Sequence, residues 1–179
     1  MSVSVCCRKR EGSLESGHVS ERLAAVLTVS DSVAAGTADD MSGPIAVAAL
    51  EDLGFTVTES AVIADGIESV ADALTRLADL VSLIVTTGGT GLSPRDLTPE
   101  GTRSVIDRNV PGISEAMRWD TFGKIPFGML SRGVSGLRGN CLIINMPGSP
   151  KAVAEGFEVV GSVLIHAVDL ASGNYGRHD

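Results

Sequence analysis

Leu83-Ile84-Val85-Thr86-Thr87-Gly88-Gly89-Thr90-Gly91 is the stretch that decides the fold. Its first five residues are apolar or β-branched without alternation. That pattern marks a strand buried on both faces, and such strands belong to parallel sheets covered by helices. The glycines that follow let backbone N–H groups approach an anion with no Cβ in the way. A tight turn needing positive φ would use the same residues. The loop matches neither G-x-G-x-x-G nor G-x-x-x-x-G-K-[ST], so neither of those nucleotide-binding mechanisms is indicated.

Upstream, Ala24 to Ser30 reads as a first buried strand. A polar loop leads to Ser42-Gly43-Pro44, where Ser42 is placed to cap a helix that carries Pro44 in its first turn and stops at Gly54. Thr56 to Ile63 alternates and is rich in Val and Thr, the mark of a second strand. Ile67, Val70, Ala71, Leu74, Leu77 and Ala78 recur at helical spacing before the third strand begins. Downstream, Thr98-Pro99-Glu100 opens another helix, with Thr98 as the expected N-cap. A further helix is expected from Pro111 to about Trp119. Gly133–Leu137 and Cys141–Asn145 flank Arg138-Gly139-Asn140 as a hairpin or a bend into a last strand. A long C-terminal helix follows Met146-Pro147-Gly148-Ser149-Pro150, with Val153, Phe157, Val160, Leu164, Ala167 and Ala171 as its core stripe. Val159 and Val163 widen that face toward another subunit. The expected fold is α/β, a three-layer, doubly wound, mostly parallel sheet with helices on both faces.

The 179 residues fit one domain, and 44% hydrophobic content with only 3% aromatics calls for a core of Ala, Val, Leu and Ile. A formal charge of −8 lacks the basic footprint of a nucleic-acid binder. Any phosphate must therefore be met locally, by backbone N–H groups, a few cations or a metal ion. Cys6, Cys7 and Cys141 form neither a disulfide framework nor a zinc spacing, which favours reduced thiols in a cytoplasmic protein. His18, His166 and His178 are scattered. No run reaches the roughly 18 apolar residues of a membrane helix, so no membrane association is expected. Residues 1–20 read as a weakly ordered extension and 21–179 as the domain.

In an open α/β sheet, ligands gather at the carboxyl ends of the strands. Polar loops follow Ser30, Ile63, Thr87 and Asn145 there. Asp96, in Ser93-Pro94-Arg95-Asp96, is the first candidate. A carboxylate beside an anion-binding turn repels the ligand unless a cation such as Mg²⁺ stands between them. Its competing role is a turn or cap aspartate. Asp65, in Ala64-Asp65-Gly66, is a turn residue or a second carboxylate at the same sheet edge. Arg95 either contacts phosphate or lies in solvent. Ser30, Asp31, Ser32, Asp40, Ser42 and Gly43 form the first loop, as ligand contacts or equally as cap and turn residues. Pro147, Gly148, Ser149 and Lys151 open a helix whose free N–H groups suit a second anion.

Thr86-Thr87-Gly88-Gly89-Thr90-Gly91 with Arg95-Asp96-x-Thr98-Pro99-Glu100 resembles the signature of the Mog/MoaB proteins of molybdenum-cofactor biosynthesis. So do Leu130-Ser131-Arg132, Asn145-Met146-Pro147-Gly148-Ser149-Pro150-Lys151, and Ser30-Asp31 with Ser42-Gly43. The resemblance spans about Leu23 to Gly173. It implies the molybdopterin-binding fold, a homotrimer, and transfer of AMP from Mg-ATP to the molybdopterin phosphate with release of pyrophosphate. The product would pass to a molybdenum-insertion enzyme. By position, Asp65 and Asp96 match the family's catalytic, metal-binding aspartates. Thr87, Gly88, Gly89, Thr90, Gly91, Arg95, Glu115, Ser131 and Ser149 match its substrate pocket.

Three other readings stay open. One is a non-catalytic molybdopterin-binding or scaffold protein with the same pocket. The second is an ordinary Rossmann nucleotide binder, which the missing fingerprint glycines disfavour. The third is the insertion enzyme itself, whose related domain usually sits in a longer chain.

Overall fold

The computed structural model describes residues 22–173; the expected N-terminal extension lies outside them, as do Cys6, Cys7, His18 and His178. The strands are β1 (Leu23–Val29), β2 (Thr56–Ile63), β3 (Leu83–Thr87), β4 (Arg108–Asn109), β5 (Ser135–Arg138) and β6 (Cys141–Met146). The helices are α1 (Asp31–Ala34), α2 (Gly43–Asp52), α3 (Ile67–Ala78), α4 (Thr98–Val105), α5 (Pro111–Thr121) and α6 (Pro150–Ala171), with a 3-10 turn at Pro126–Leu130.

All six strands form one sheet in the order β2-β1-β3-β6-β5-β4. The β2, β1, β3 and β6 ladders are parallel, and β5 is antiparallel to both β6 and β4. The mostly parallel, doubly wound sheet expected from the sequence is thus present, and the bend at Arg138–Cys141 is a hairpin.

Burial explains the layering. Ala24, Val26, Leu83, Val85, Leu142 and Ile144 face one way, against Ala46 and Leu50 of α2 and Val153, Val160 and Leu164 of α6. The intervening Ala25, Leu27, Ile84 and Ile143 face the other way, against Val70, Leu74 and Leu77 of α3 and Val105 of α4. Two-residue periodicity thus feeds two cores from one sheet. All five residues of β3 are buried, as its uniform apolar and threonine content requires, whereas β2 alternates as an edge strand.

The helix starts differ from expectation at two points. Ser42 makes no side-chain cap of α2. Asp40 takes that role, accepting from the N–H groups of Ser42 at 3.1 Å and Gly43 at 2.9 Å. Thr98 is the first residue of α4 rather than its cap, and its side chain is fully buried. The Ser42 hydroxyl meets the Thr87 hydroxyl across the fold instead, a tertiary contact that local helix signals cannot register.

Register delivers the site. Thr28 pairs with Thr87, and Thr87 with Met146, so β1, β3 and β6 end level. Their loops leave the sheet side by side at the carboxyl edge. The chain turns from β1 toward β2 on one side and reaches β3 on the other, which opens the crevice such sheets use for ligands.

Candidate functional site

Two cavities lie at this edge. The larger, about 600 Å³, is lined by Gly88–Leu92, Asp96, Pro147–Ser149 and Lys151, and by Met117, Arg118, Ile125, Phe127 and Leu130 across from them. The smaller, about 280 Å³, is lined by Thr28, Ser30, Asp39, Asp40, Ser42, Asp65 and Thr87, among others. Gly88, Gly89, Asp96 and Gly148 border both. One wall therefore serves two compartments.

Glycine makes that wall possible. Gly88 and Gly89 have φ of +95° and +61°. A Cβ on Gly88 would strike the Val29 carbonyl, and one on Gly148 would stand 3.1 Å from the Gly88 Cα. The loops after β3 and β6 thus touch backbone to backbone. Ser149 caps α6 by accepting from the Ala152 N–H at 3.1 Å, and it lines the larger cavity.

The two aspartates converge. Both border the smaller cavity, and the charge of Asp96 reaches Asp65. Asp96 accepts from the Ser93 N–H at 2.8 Å, the turn role foreseen as its alternative, while still bordering both compartments. Asp65 and Asp31 exchange backbone bonds: the Asp31 N–H donates to Asp65 Oδ2 at 3.1 Å and the Asp65 N–H to Asp31 Oδ1 at 3.0 Å. Burial pushes the Asp65 carboxyl above its ordinary range, and the charges of Asp31 and Asp96 add to this against the Asp31 N–H and Arg95. Asp40 goes the other way. Burial raises it, but hydrogen bonds from Thr28 and the Gly43 and Ser42 N–H groups outweigh that and hold it below the ordinary range.

Several other expected site residues bond to neighbouring loops at this edge. Arg95 neither faces the cavities nor lies free: it grips Asp31 through two bonds of 2.9 and 3.0 Å and donates to the Asp65 carbonyl. Gly43 is buried against Asp40 and Thr28. Ser42 bonds to the Thr87 hydroxyl at 2.9 Å at the cavity floor. Glu115 is exposed and borders neither cavity, whereas its neighbours Ser114 and Arg118 line the larger one. Thr90, Ser131 and Lys151 do line it, Lys151 with Glu155 3.6 Å away.

Some contributors escaped the sequence reading. Arg118 donates to the Gly133 carbonyl and lines the larger cavity beside Ser114, one helical turn away, a spacing that could have flagged it. Arg132 donates to the carbonyls of Gly91 and Asp96 and to the Glu100 carboxylate, strapping the glycine loop to α4. Asp40, by contrast, was foreseen as a loop residue with cap or turn chemistry, and it caps α2. Cys141, buried, has its thiol pushed up to about 12 by burial with help from Asp79, so it is no nucleophile.

Among the described residues, no group of three or more His, Cys, Asp or Glu is placed to hold a metal ion. Two carboxylates suit Mg²⁺, which usually takes one or two protein carboxylates and completes its shell with substrate phosphates and water. The unpaired, buried Asp65 Oδ1 adds an oxygen without a partner at that place.

An open, mostly parallel α/β sheet thus carries a glycine-walled double cavity, rimmed by aspartates, at the carboxyl edge where doubly wound folds bind their ligands. Residues 25–167 match the family described as "Probable molybdopterin binding domain", and the chain belongs to that family. It is 37% identical over 154 residues to the molybdopterin adenylyltransferase of Helicobacter pylori (strain J99), covering 84% of this chain and 88% of the relative. It is 39% identical to gephyrin of Dictyostelium discoideum over 87% of this chain but only 23% of gephyrin. Among solved structures, the molybdopterin biosynthesis enzyme MoaB of a Thermus species superimposes with a TM-score of 0.81 at 42% identity, covering 85% of this chain and 97% of MoaB. No helix of the described residues is long and apolar enough to cross a membrane.

Proposed function

We propose that this chain is a molybdopterin adenylyltransferase of molybdenum-cofactor biosynthesis, transferring AMP from Mg-ATP to the terminal phosphate of molybdopterin and releasing pyrophosphate. The observation that carries this reading is the shared wall: Asp96 and the glycines border two cavities at once, as a reaction joining two phosphorylated guests requires. The name borne by relatives that align over most of both chains supports it.

The larger cavity, with Met117, Phe127 and Leu130 on one side and Arg118 and Lys151 at its edge, suits a flat pterin whose phosphate points at the wall. The smaller, acid-rimmed cavity repels bare phosphate, so the triphosphate enters with its cation, held by Asp65 and Asp96. Bound there, Mg²⁺ would supply charge neutralisation for the phosphates. Gly88 gives its own N–H to the Met146 carbonyl, which leaves the N–H groups of Gly89, Thr90 and Gly91, with the α6 N-terminus, to meet the guests. A pterin-phosphate oxygen then bonds to the α-phosphorus of ATP as the bond to the β-phosphate oxygen breaks and pyrophosphate departs. Little covalent help from side chains is needed; in-line positioning carries the step. The reading includes a cytoplasmic homotrimer that passes its product to a molybdenum-insertion enzyme, with Val163 and Leu170 exposed on α6 as candidate contacts.

The test is pyrophosphate release from Mg-ATP. We expect it to depend on molybdopterin and to fall at least a hundredfold in Asp96→Asn. Undiminished turnover in Asp96→Asn would remove that residue from the mechanism. The scaffold alternative predicts tight molybdopterin binding with no ATP affinity.

A further inference from the structure

A third cavity, about 570 Å³, adjoins the larger one and shares Ser114, Arg118, Ser131 and Gly133 with it. Its charge is the reverse of the chain's, which is −8 overall. Three guanidinium groups line it, Arg103 from α4, Arg118 from α5 and Arg132 from the segment before β5, and no Asp or Glu does. Glu100, outside the lining, is divided between two of them: it accepts from Arg132 and lies 3.8 Å from Arg103. Half-buried Arg118 has no ion pair among the described residues, and its one hydrogen bond there goes to the Gly133 carbonyl at 2.9 Å. A guanidinium drawn partly out of water without a counter-ion carries a desolvation cost that an anion relieves. The start of α5 opens into the same space: Pro111 and Ser114 line it, no side chain caps the helix, and its first turn holds no acidic residue. Unsatisfied N–H groups at a helix start add positive potential.

We propose that Arg103, Arg118 and Arg132 form a binding site for an inorganic phosphate-type anion, pyrophosphate above all, distinct from the two cavities at the glycine wall. Planar forks arriving from three segments can each hold separate oxygens of such an ion. Pro111 and Val134 are the apolar members of the lining, so nothing there stacks on a base or covers a ring. That favours a bare ion over a nucleotide. The volume exceeds one tetrahedral group, which favours two linked phosphates over one. The site does not rest on the adenylyl-transfer reading, although the inorganic product of that reaction is the ion this cavity fits.

The experiment titrates pyrophosphate into the full chain by calorimetry, with a chelator present so that the acid-rimmed smaller cavity repels the metal-free ion. One pyrophosphate should bind per chain. Arg103→Met should weaken it about tenfold, the worth of one charge-assisted contact. Arg103 suits the test because its side chain is 52% exposed and lines only this one of the three cavities. Lys151→Met, at the larger cavity, should leave the affinity unchanged. Inorganic phosphate should bind more weakly than pyrophosphate, and AMP no better than phosphate. Absence of binding, or equal binding in Arg103→Met, would overturn the proposal. Loss in Lys151→Met alone would overturn it by placing the ion in the larger cavity, and AMP binding tighter than pyrophosphate would overturn it in favour of a nucleotide subsite. Neither molybdopterin nor turnover enters the titration, so failure of this site and failure of adenylyl transfer are read separately.

Discussion

Two carboxylates in the smaller cavity are displaced in opposite directions, and each makes a separate prediction. Asp65 has its carboxyl raised, first by burial and then by neighbouring negative charge. Its folded pKa lies above its unfolded value, so the stability it contributes is present at acid pH and lost as pH rises through the folded pKa. At neutral pH the ionised group is a liability. Asp65→Asn should therefore raise Tm by about 2–4 °C at pH 7 while abolishing turnover, and the gain should vanish below the ordinary carboxylate range. Asp40 is the reverse. Burial opposes its charge, but the Thr28 hydroxyl and two N–H groups outweigh that, so its contribution is present above the unfolded pKa and lost as pH falls through the lowered folded one. Asp40→Asn should lower Tm by about 4–8 °C at pH 7, with the difference closing in acid. Melting both variants between pH 3 and 8 checks both signs.

The loops convert these residues into a site, and Arg132 is the strap between them. Its planar fork reaches the Gly91 and Asp96 carbonyls and the Glu100 carboxylate together, a geometry that lysine cannot copy. Arg132→Lys should cost at least tenfold in kcat/KM for pyrophosphate release, and Arg132→Met more, with cooperative melting retained in both. The Gly148 contact with Gly88 predicts that Gly148→Ala pushes the two loops apart and weakens nucleotide binding about tenfold, readable by calorimetry. At this scale the sequence was partly legible. Runs such as Leu83–Thr87 and stripes such as Val70-Leu74-Leu77 announce themselves, because periodicity is local. Helix starts misled at Ser42 and Thr98, since a cap signal carries no information about Thr87 or Gly89 waiting across the fold. Arg95 was unreadable for the same reason: its partner Asp31 is 64 positions away.

For the molecule as a whole, the parallel order β2-β1-β3-β6 brings four separate polar loops to one edge. Position at the carboxyl ends made that edge foreseeable and singled out Asp96 and Asp65 within it, and family likeness pointed to the same two. The larger cavity's far wall was not foreseeable. Met117, Phe127 and Leu130 come from α5 and the 3-10 turn, and nothing in their spacing distinguishes a cavity lining from core. The central claim is that two guests sit side by side against one glycine wall. Titrating a non-hydrolysable ATP analogue with Mg²⁺ into molybdopterin-saturated protein tests it most directly. The account predicts one analogue bound per chain with the molybdopterin still in place. Displacement of one ligand by the other would mean a single shared pocket and would contradict it.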